Sequence, residues 1–194
     1  MTLKLDDCSD GELAALALGG RQSAYTALLT RYREPVFRVV RATIGDTDAA
    51  VDVTQEAFVS AFAALKGYDS ERPFKTWISR IAINKCRDWA RRRAVRSFFT
   101  WATPIDDAFD LPSDAASPET ETGDRAELRQ VRSAIAALPT KLREVLVLRG
   151  VEGMTQAEAA QALDLTEKAV ETRLYRARTQ LKHLLSGTNE RDSG

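Results

Sequence analysis

Histidine and cysteine are almost absent from this chain: His183 is the single histidine, and Cys8 and Cys86 are the two cysteines in 194 residues. Structural metal sites and disulfide frameworks need such residues in closely spaced sets. Here there is no CxxC and no Cys/His cluster, so no metal and no disulfide are expected. Cys86 shares a helical face with Ile78, Ala82 and Trp89, which reads as core rather than as a reactive thiol. No Gly-rich loop is placed to cradle phosphates and no nucleophile stands beside a base, so neither an enzyme, a cofactor nor a small-molecule substrate is indicated. No apolar run is long enough to cross a bilayer, and the opening MTLKLDDCSD is too acidic for a signal peptide. A cytoplasmic protein without direct membrane insertion is expected. Convincing strand patterns are missing too, which leaves an all-α fold.

Net charge is also absent, with 28 Lys/Arg balancing 28 Asp/Glu, but the balance is an average over segments of opposite sign. Between Lys75 and Arg96 there are eight Lys/Arg against the single Asp88. From Thr100 to Glu127 there are eight Asp/Glu against the single Arg125. Segregated charge of this kind points to a polyanionic partner for one segment more than the zero sum argues against it.

Helix signals recur along the chain. Ser9 with Glu12 forms a capping box that opens a short helix, and Gly19 and Gly20 close it. A second helix covers Ser23 to Ile44, with Pro35 expected to kink or divide it. Asp46 caps a third, in which Val51, Phe58, Phe62 and Leu65 form the expected buried stripe and Asp48, Asp52, Gln55 and Glu56 the other side. KGYDSERP reads as loop, and Pro73 as the first residue of a fourth helix running to about Arg93. The segment SFFTWATPIDDAFDLPSDAASPETETGD, with three prolines and many acids, reads as a linker. Phe98, Phe99, Trp101 and Phe109 in it are apolar enough to imply that its first half docks on something. Helices resume near Arg125, break at Pro139 and continue from Lys141 to Arg149.

The most informative stretch runs from Thr155 to Leu185. Thr155 and Glu158 make a second capping box, and Thr166 offers a hydroxyl cap to a following helix. Ala159, Ala160, Leu163 and Leu165 can meet Val170, Leu174, Ala177 and Leu181, which fall at i, i+4, i+7 and i+11. Opposite that stripe lie Lys168, Glu171, Thr172, Tyr175 and Arg178, with Arg173 and Arg176 at its margins. Hydrogen-bonding side chains on the second helix of such a pair suit a major groove; a helical hairpin with a solvated basic face is the plainer alternative. The fourth helix, FKTWISRIAINKCRDWARRR, carries Phe74, Ile78, Ile81, Ala82 and Trp89 on an apolar face and Arg80, Asn84, Arg87 and Arg91 on another. That basic row can track phosphates, each one steepening the salt dependence by roughly 0.9 log unit per log unit. Trp77 and Trp89 read as core rather than as stacking platforms.

Taken together, DAAVDVTQEAFVSAF, FKTWISRIAINKCRDWARRR, and LPTKLREVLVLRGVEGMTQAEAAQAL followed by TRLYRARTQL, in this order and spacing, resemble the bacterial RNA polymerase sigma factors of the small extracytoplasmic-function group. The resemblance implies a region 2 helical bundle over 1–96, an acidic and mostly irregular linker over 97–127, a region 4 helix-turn-helix over 128–187 and a polar tail over 188–194. It implies that Asp52, Gln55, Glu56 and Val59 face the polymerase clamp, with the second unit meeting the flap. The loop from Tyr68 to Phe74, with Ser79, Arg80, Asn84, Arg87, Asp88 and Arg91, would hold the melted minus-ten non-template strand and a flipped base. Lys168, Glu171, Thr172, Arg173, Tyr175, Arg176 and Arg178 would read the minus-thirty-five duplex. Core RNA polymerase, promoter DNA and an anti-sigma factor are the partners implied, and the acidic linker would thread toward the RNA exit path. Asp164 stands where the helix-turn-helix often has glycine, Ala169 replaces a frequent threonine, and Glu171 a frequent Lys or Arg. A stand-alone helix-turn-helix repressor or activator, and a sigma-like decoy that binds an anti-sigma factor, are the alternative functions.

Overall fold

The computed structural model describes residues 4–101 and 123–189. After a short 3-10 turn, α1 (Asp10–Leu18) begins at the expected capping box. The Ser9 hydroxyl accepts from the Glu12 N–H, and the Glu12 carboxylate accepts from the Ser9 N–H at 2.7 Å. α2 (Gln22–Ile44) runs through Pro35 without a break, contrary to the division expected there. The proline forfeits one backbone hydrogen bond, but the turn before it is fastened from outside: Arg31 reaches Asp10 at 2.6 Å and the Cys8 carbonyl at 3.1 Å, and the Tyr32 hydroxyl also donates to Asp10. Val36, Val39 and Val40 are buried just beyond it. Tertiary contacts on both sides carry the helix across the gap.

The Asp46 carboxylate accepts from the Ala49 N–H at 2.9 Å and starts α3 (Thr47–Ala63). Its buried face is Ala50, Val53, Thr54, Ala57, Phe58 and Ala61, while Val51 is exposed. The expected stripe was thus out of phase at Val51, because alanines rather than the larger side chains line the close approach of this helix to its neighbours. A 3-10 turn over Leu65–Gly67 takes up the start of the expected loop. α4 (Phe74–Trp101) starts one residue later than expected, with the Pro73 carbonyl accepting from the N–H groups of Thr76 and Trp77, and it continues past Arg93 to Trp101. Leu13, Leu28, Val53, Phe58, Phe74 and Ile78 are central to the first core. Tyr68, Phe74 and Trp77 cluster with ring centroids 5.1–5.3 Å apart, and Trp77 and Trp89 pack against that core as expected. The side chains of Phe98, Phe99 and Trp101, and the whole of Phe109, lie outside the described residues, as does the expected docking of that segment.

The second half comprises α5 (Gly123–Ala137), α6 (Thr140–Leu146), a π-helical turn over Val147–Val151, α7 (Gln156–Leu163) and α8 (Glu167–Asn189). Among the described residues there is no strand. The two halves do not stand apart. Val39 of α2 and Ile83 of α4 are fully buried within the core of the second half, beside Leu138, Val145, Leu148 and Met154. Arg143 of α6 joins the halves as well: its Nη1 donates to the Thr43 carbonyl at 2.6 Å, and its Nη2 to the carbonyls of Leu138, at 2.7 Å, and Ala136. Gly45, at φ 75°, ends α2 in the left-handed region, and a Cβ there would meet the Ala136 Cβ of α5 at 3.2 Å.

Candidate nucleic-acid interface

The α7–α8 pair is built by its caps. The Thr155 hydroxyl accepts from the Glu158 N–H at 3.2 Å, and the Glu158 carboxylate accepts from the Thr155 N–H at 2.7 Å. Those bonds, the backbone one foremost, hold Glu158 below the usual carboxylate range. Asp164 ends α7 at φ 56° and ψ 53°, the left-handed conformation that a glycine often supplies. The Leu165 N–H returns to the Ala160 carbonyl at 2.9 Å, closing the turn. Thr166 then caps α8, its hydroxyl accepting from the Ala169 N–H, while Gln156 Nε2 donates to the Glu167 carbonyl and ties the two helix starts together. Ala159, Ala160, Leu163, Val170, Leu174 and Ala177 are buried, with Leu165 and Leu181 packed against them.

The outer face of α8 is open. Lys168, Glu171, Thr172, Arg176 and Arg178 are exposed, Tyr175 retains 73% of its surface, and Arg173 is half-buried at the margin. Lys168 pairs with Glu171 at 2.8 Å, and the Thr172 hydroxyl turns back to the Lys168 carbonyl. The unusual acid at 171 therefore has a local cation, and Tyr175, Arg176 and Arg178 are exposed to solvent beside it.

The α4 set is divided. Arg80 and Asn84 are exposed, and Arg91 pairs with Asp88. Ser79 is buried, and Arg87 is turned inward. Its Nε and Nη2 both lie 2.7 Å from the two carboxylate oxygens of Glu144, whose side chain is only 1% exposed. This fork-to-fork pairing raises the Arg87 pKa, the hydrogen bond to Glu144 being the main cause. Arg87 Nη1 also donates to Asn84 Oδ1 at 3.1 Å. The loop before α4 is stiffened by the Tyr68 hydroxyl, which donates to the Arg72 carbonyl at 2.7 Å. On α3, Asp52, Gln55 and Val59 are exposed, Val59 by 70%, and Glu56 pairs with Arg92 of α4 at 3.0 Å.

Sequence reasoning missed the charged contacts between the halves. Besides Glu144, Glu152 is buried, its side chain 1% exposed, and it receives Arg38 at 2.9 Å and Lys75 at 3.6 Å, with Lys75 also donating to its carbonyl at 2.8 Å. A glutamate inside the apolar run LREVLVL was the available signal.

These surfaces lie within two family models. The model of sigma-70 region 2 matches residues 28–96, and that of sigma-70, region 4 matches residues 128–181. The chain belongs to the sigma-70 family of RNA polymerase sigma factors. It is 41% identical to the RNA polymerase sigma factor CnrH of Cupriavidus metallidurans over 187 residues, covering 94% of this chain and 97% of that one. It is 30% identical over 178 residues to the ECF RNA polymerase sigma-E factor of Escherichia coli, covering 89% and 92%, in keeping with the extracytoplasmic-function group. The solved structure of CnrH in complex with the cytosolic domain of CnrY matches with a TM-score of 0.69 at 35% identity, over 92% of this chain and 97% of that one. Kinship along almost the whole length displaces the stand-alone repressor or activator. The sigma factor is all-α, and no described helix is long and apolar enough to cross a membrane.

Proposed function

We propose that this sigma factor brings core RNA polymerase to promoters by dividing recognition between its two halves. The exposed face of α8 reads the upstream duplex in the major groove, through Lys168, Glu171, Thr172, Arg173, Tyr175, Arg176 and Arg178. The single observation that carries this reading is the pairing of a capped α7, a left-handed Asp164 turn and an α8 whose polar face is open to solvent. Arg80, Asn84, Arg87, Asp88 and Arg91, together with Ser79 and the Tyr68–Phe74 loop, take the melted non-template strand. Unstacking a base costs a few kcal/mol, offset by contacts in the receiving pocket. Asp52, Gln55, Glu56 and Val59 form the face for the polymerase clamp, a largely exposed acidic patch with one apolar side chain at its end.

Each half alone buries a modest DNA interface. Mounting both on polymerase turns the second contact into an intramolecular one and raises overall affinity through effective concentration. No covalent step is required of the chain, which acts in the cytoplasm as an initiation factor rather than as an enzyme. An anti-sigma factor is the expected antagonist, a reading supported by the relative CnrH, solved with the cytosolic domain of CnrY. A gel-shift with promoter DNA tests the division of labour: specific retardation is expected with core polymerase present and weak binding without it. Tight, specific binding by the chain alone, unchanged by core, would refute it.

A further inference from the structure

We propose that the cleft between the end of α2 and α5 is a binding site for a small polyanion carrying two or more phosphoryl groups. Its volume is about 540 Å³, within the ~300–1,000 Å³ span of small-molecule sites. Arg38 and Arg41 line it from α2, Arg129 and Arg132 from α5, and Thr47 and Ser133 add hydroxyls. Among the described residues no Asp or Glu lines it. Each arginine pair is spaced i, i+3, which puts its members on one helix face, so two cationic rows border the same space. Two carboxylates adjacent to lining residues are directed elsewhere: Asp46 accepts from the Ala49 N–H and lies 3.8 Å from Arg93, and Glu152 is buried with Lys75 as well as Arg38.

The donors are ordered but not neutralised. Arg38 gives Nε and Nη2 to Glu152, at 2.9 and 3.3 Å, and its Nη1 stays outside that pair. Arg41 is half-buried and lies over the Phe37 ring, 5.7 Å from its centroid, a contact that fixes the guanidinium and leaves its charge uncompensated. Among the described residues neither Arg41 nor Arg132 pairs with a carboxylate. Arg143 adds further positive charge close by, donating to the carbonyl of Ala136, another lining residue. A cleft lined by charge of one sign focuses its potential on an entering counter-ion. Guanidinium forks match phosphoryl oxygens bidentately, and a monoanion would leave most of these donors unused. The concave shape suits a small ligand rather than duplex DNA, whose grooves are entered by a projecting helix face such as that of α8. Ile135 and Val151, the latter 43% exposed, give the cleft an apolar wall on which a nucleoside joined to the phosphates can rest. A ligand held by both rows bridges α2 and α5 and stabilises the folded chain by mass action.

The test titrates the full chain with inorganic tripolyphosphate and, separately, with ATP, in magnesium-free buffer at constant ionic strength, by isothermal calorimetry with thermal unfolding alongside. One site per chain and a raised melting temperature are expected with each probe. Equal affinities assign recognition to the phosphate chain alone, and tighter binding of ATP adds the apolar wall. Arg132→Gln, a change at an exposed side chain, is expected to weaken tripolyphosphate binding several-fold. Arg41→Gln/Arg132→Gln should weaken it by about tenfold or more, the factor that one charged hydrogen bond commands, with helix content unchanged by far-UV circular dichroism. Arg176→Gln/Arg178→Gln, on the separate basic face of α8, should leave the affinity within about twofold. Absence of saturable binding, several weak sites per chain, or unchanged affinity in Arg132→Gln would overturn the site. So would binding that survives the α2 and α5 substitutions and is lost with those on α8.

Discussion

Replacing Arg143 with methionine isolates one of the contacts that join the two halves of the fold. The guanidinium donates to the carbonyls of Thr43, Leu138 and Ala136. Thr43 and Ala136 lie in the last turns of α2 and α5, where carbonyls have no partner within their helix and a cation meets the negative end of the dipole. A hydrogen bond from a charged donor contributes about 1.5–3 kcal/mol. Three such bonds from one group do not add, and water replaces part of what is lost because Arg143 is only half-buried. Its Nε is buried without a hydrogen-bond partner, a cost of about 1 kcal/mol that the variant relieves. The net loss is about 3 kcal/mol, which for a chain of this size lowers the melting temperature by about 6–12 °C. Thermal unfolding followed by circular dichroism measures the shift, and tryptophan fluorescence from Trp77, Trp89 and Trp101, all on α4, reports on the first half separately. Because the lost contact is shared, the two probes should cease to coincide. A shift below about 2 °C with coincident transitions would refute the role given to Arg143.

Thr54 and Thr76 each bury a hydroxyl without a hydrogen-bond partner, so Thr54→Val and Thr76→Val should each stabilise by about 1 kcal/mol in urea unfolding; a loss instead would mean that the hydroxyls are satisfied in solution. Glu158 is held below its ordinary value of 4.5 by the Thr155 N–H and hydroxyl, so its contribution is present above pH ~4.5 and disappears as pH falls through the lowered value. The stability difference between wild type and Glu158→Gln should accordingly narrow in acid, and a constant difference would contradict the capping role. The Cys86 thiol is pushed up to about 12, chiefly by burial and next by the Glu144 charge, so a thiol reagent at pH 8 should leave it unmodified until denaturant is added. Arg173→Ala should reduce promoter activity and flatten its salt dependence by about one phosphate's worth, while Asp52→Ala should weaken core binding with the fold intact; unchanged core affinity would discredit the α3 face.

The legible parts of the fold are those written in local chemistry. The Ser9–Glu12 and Thr155–Glu158 boxes, the Asp46 cap and the Thr166 cap all form as their side chains dictate. The α7–α8 stripe is legible for the same reason, since the two helices are closely linked and packed on each other. Errors arise where distant residues decide. Pro35 is tolerated because Arg31 and Tyr32 are tied to Asp10, a contact that no local pattern announces. The face of α3 is carried by Ala50, Ala57 and Ala61, whose small size signals little in a hydrophobic pattern yet permits close packing. At the candidate sites the open face of α8 follows from its periodicity. The inward turn of Arg87 does not: its partner Glu144 lies 57 residues along the chain, beyond the acidic stretch. A basic row reads alike whether it awaits phosphate or already holds a carboxylate.

In vitro transcription with core polymerase on a library of promoter fragments, with start sites sequenced, addresses the sigma function most directly. Starts are expected only when chain and core are both present, and their upstream sequences should share two separated elements, the nearer of which Arg80→Ala and the farther of which Arg173→Ala makes less effective. Starts that are indifferent to the chain, or a failure of purified chain to associate with core even after inhibitors are stripped away, would contradict it.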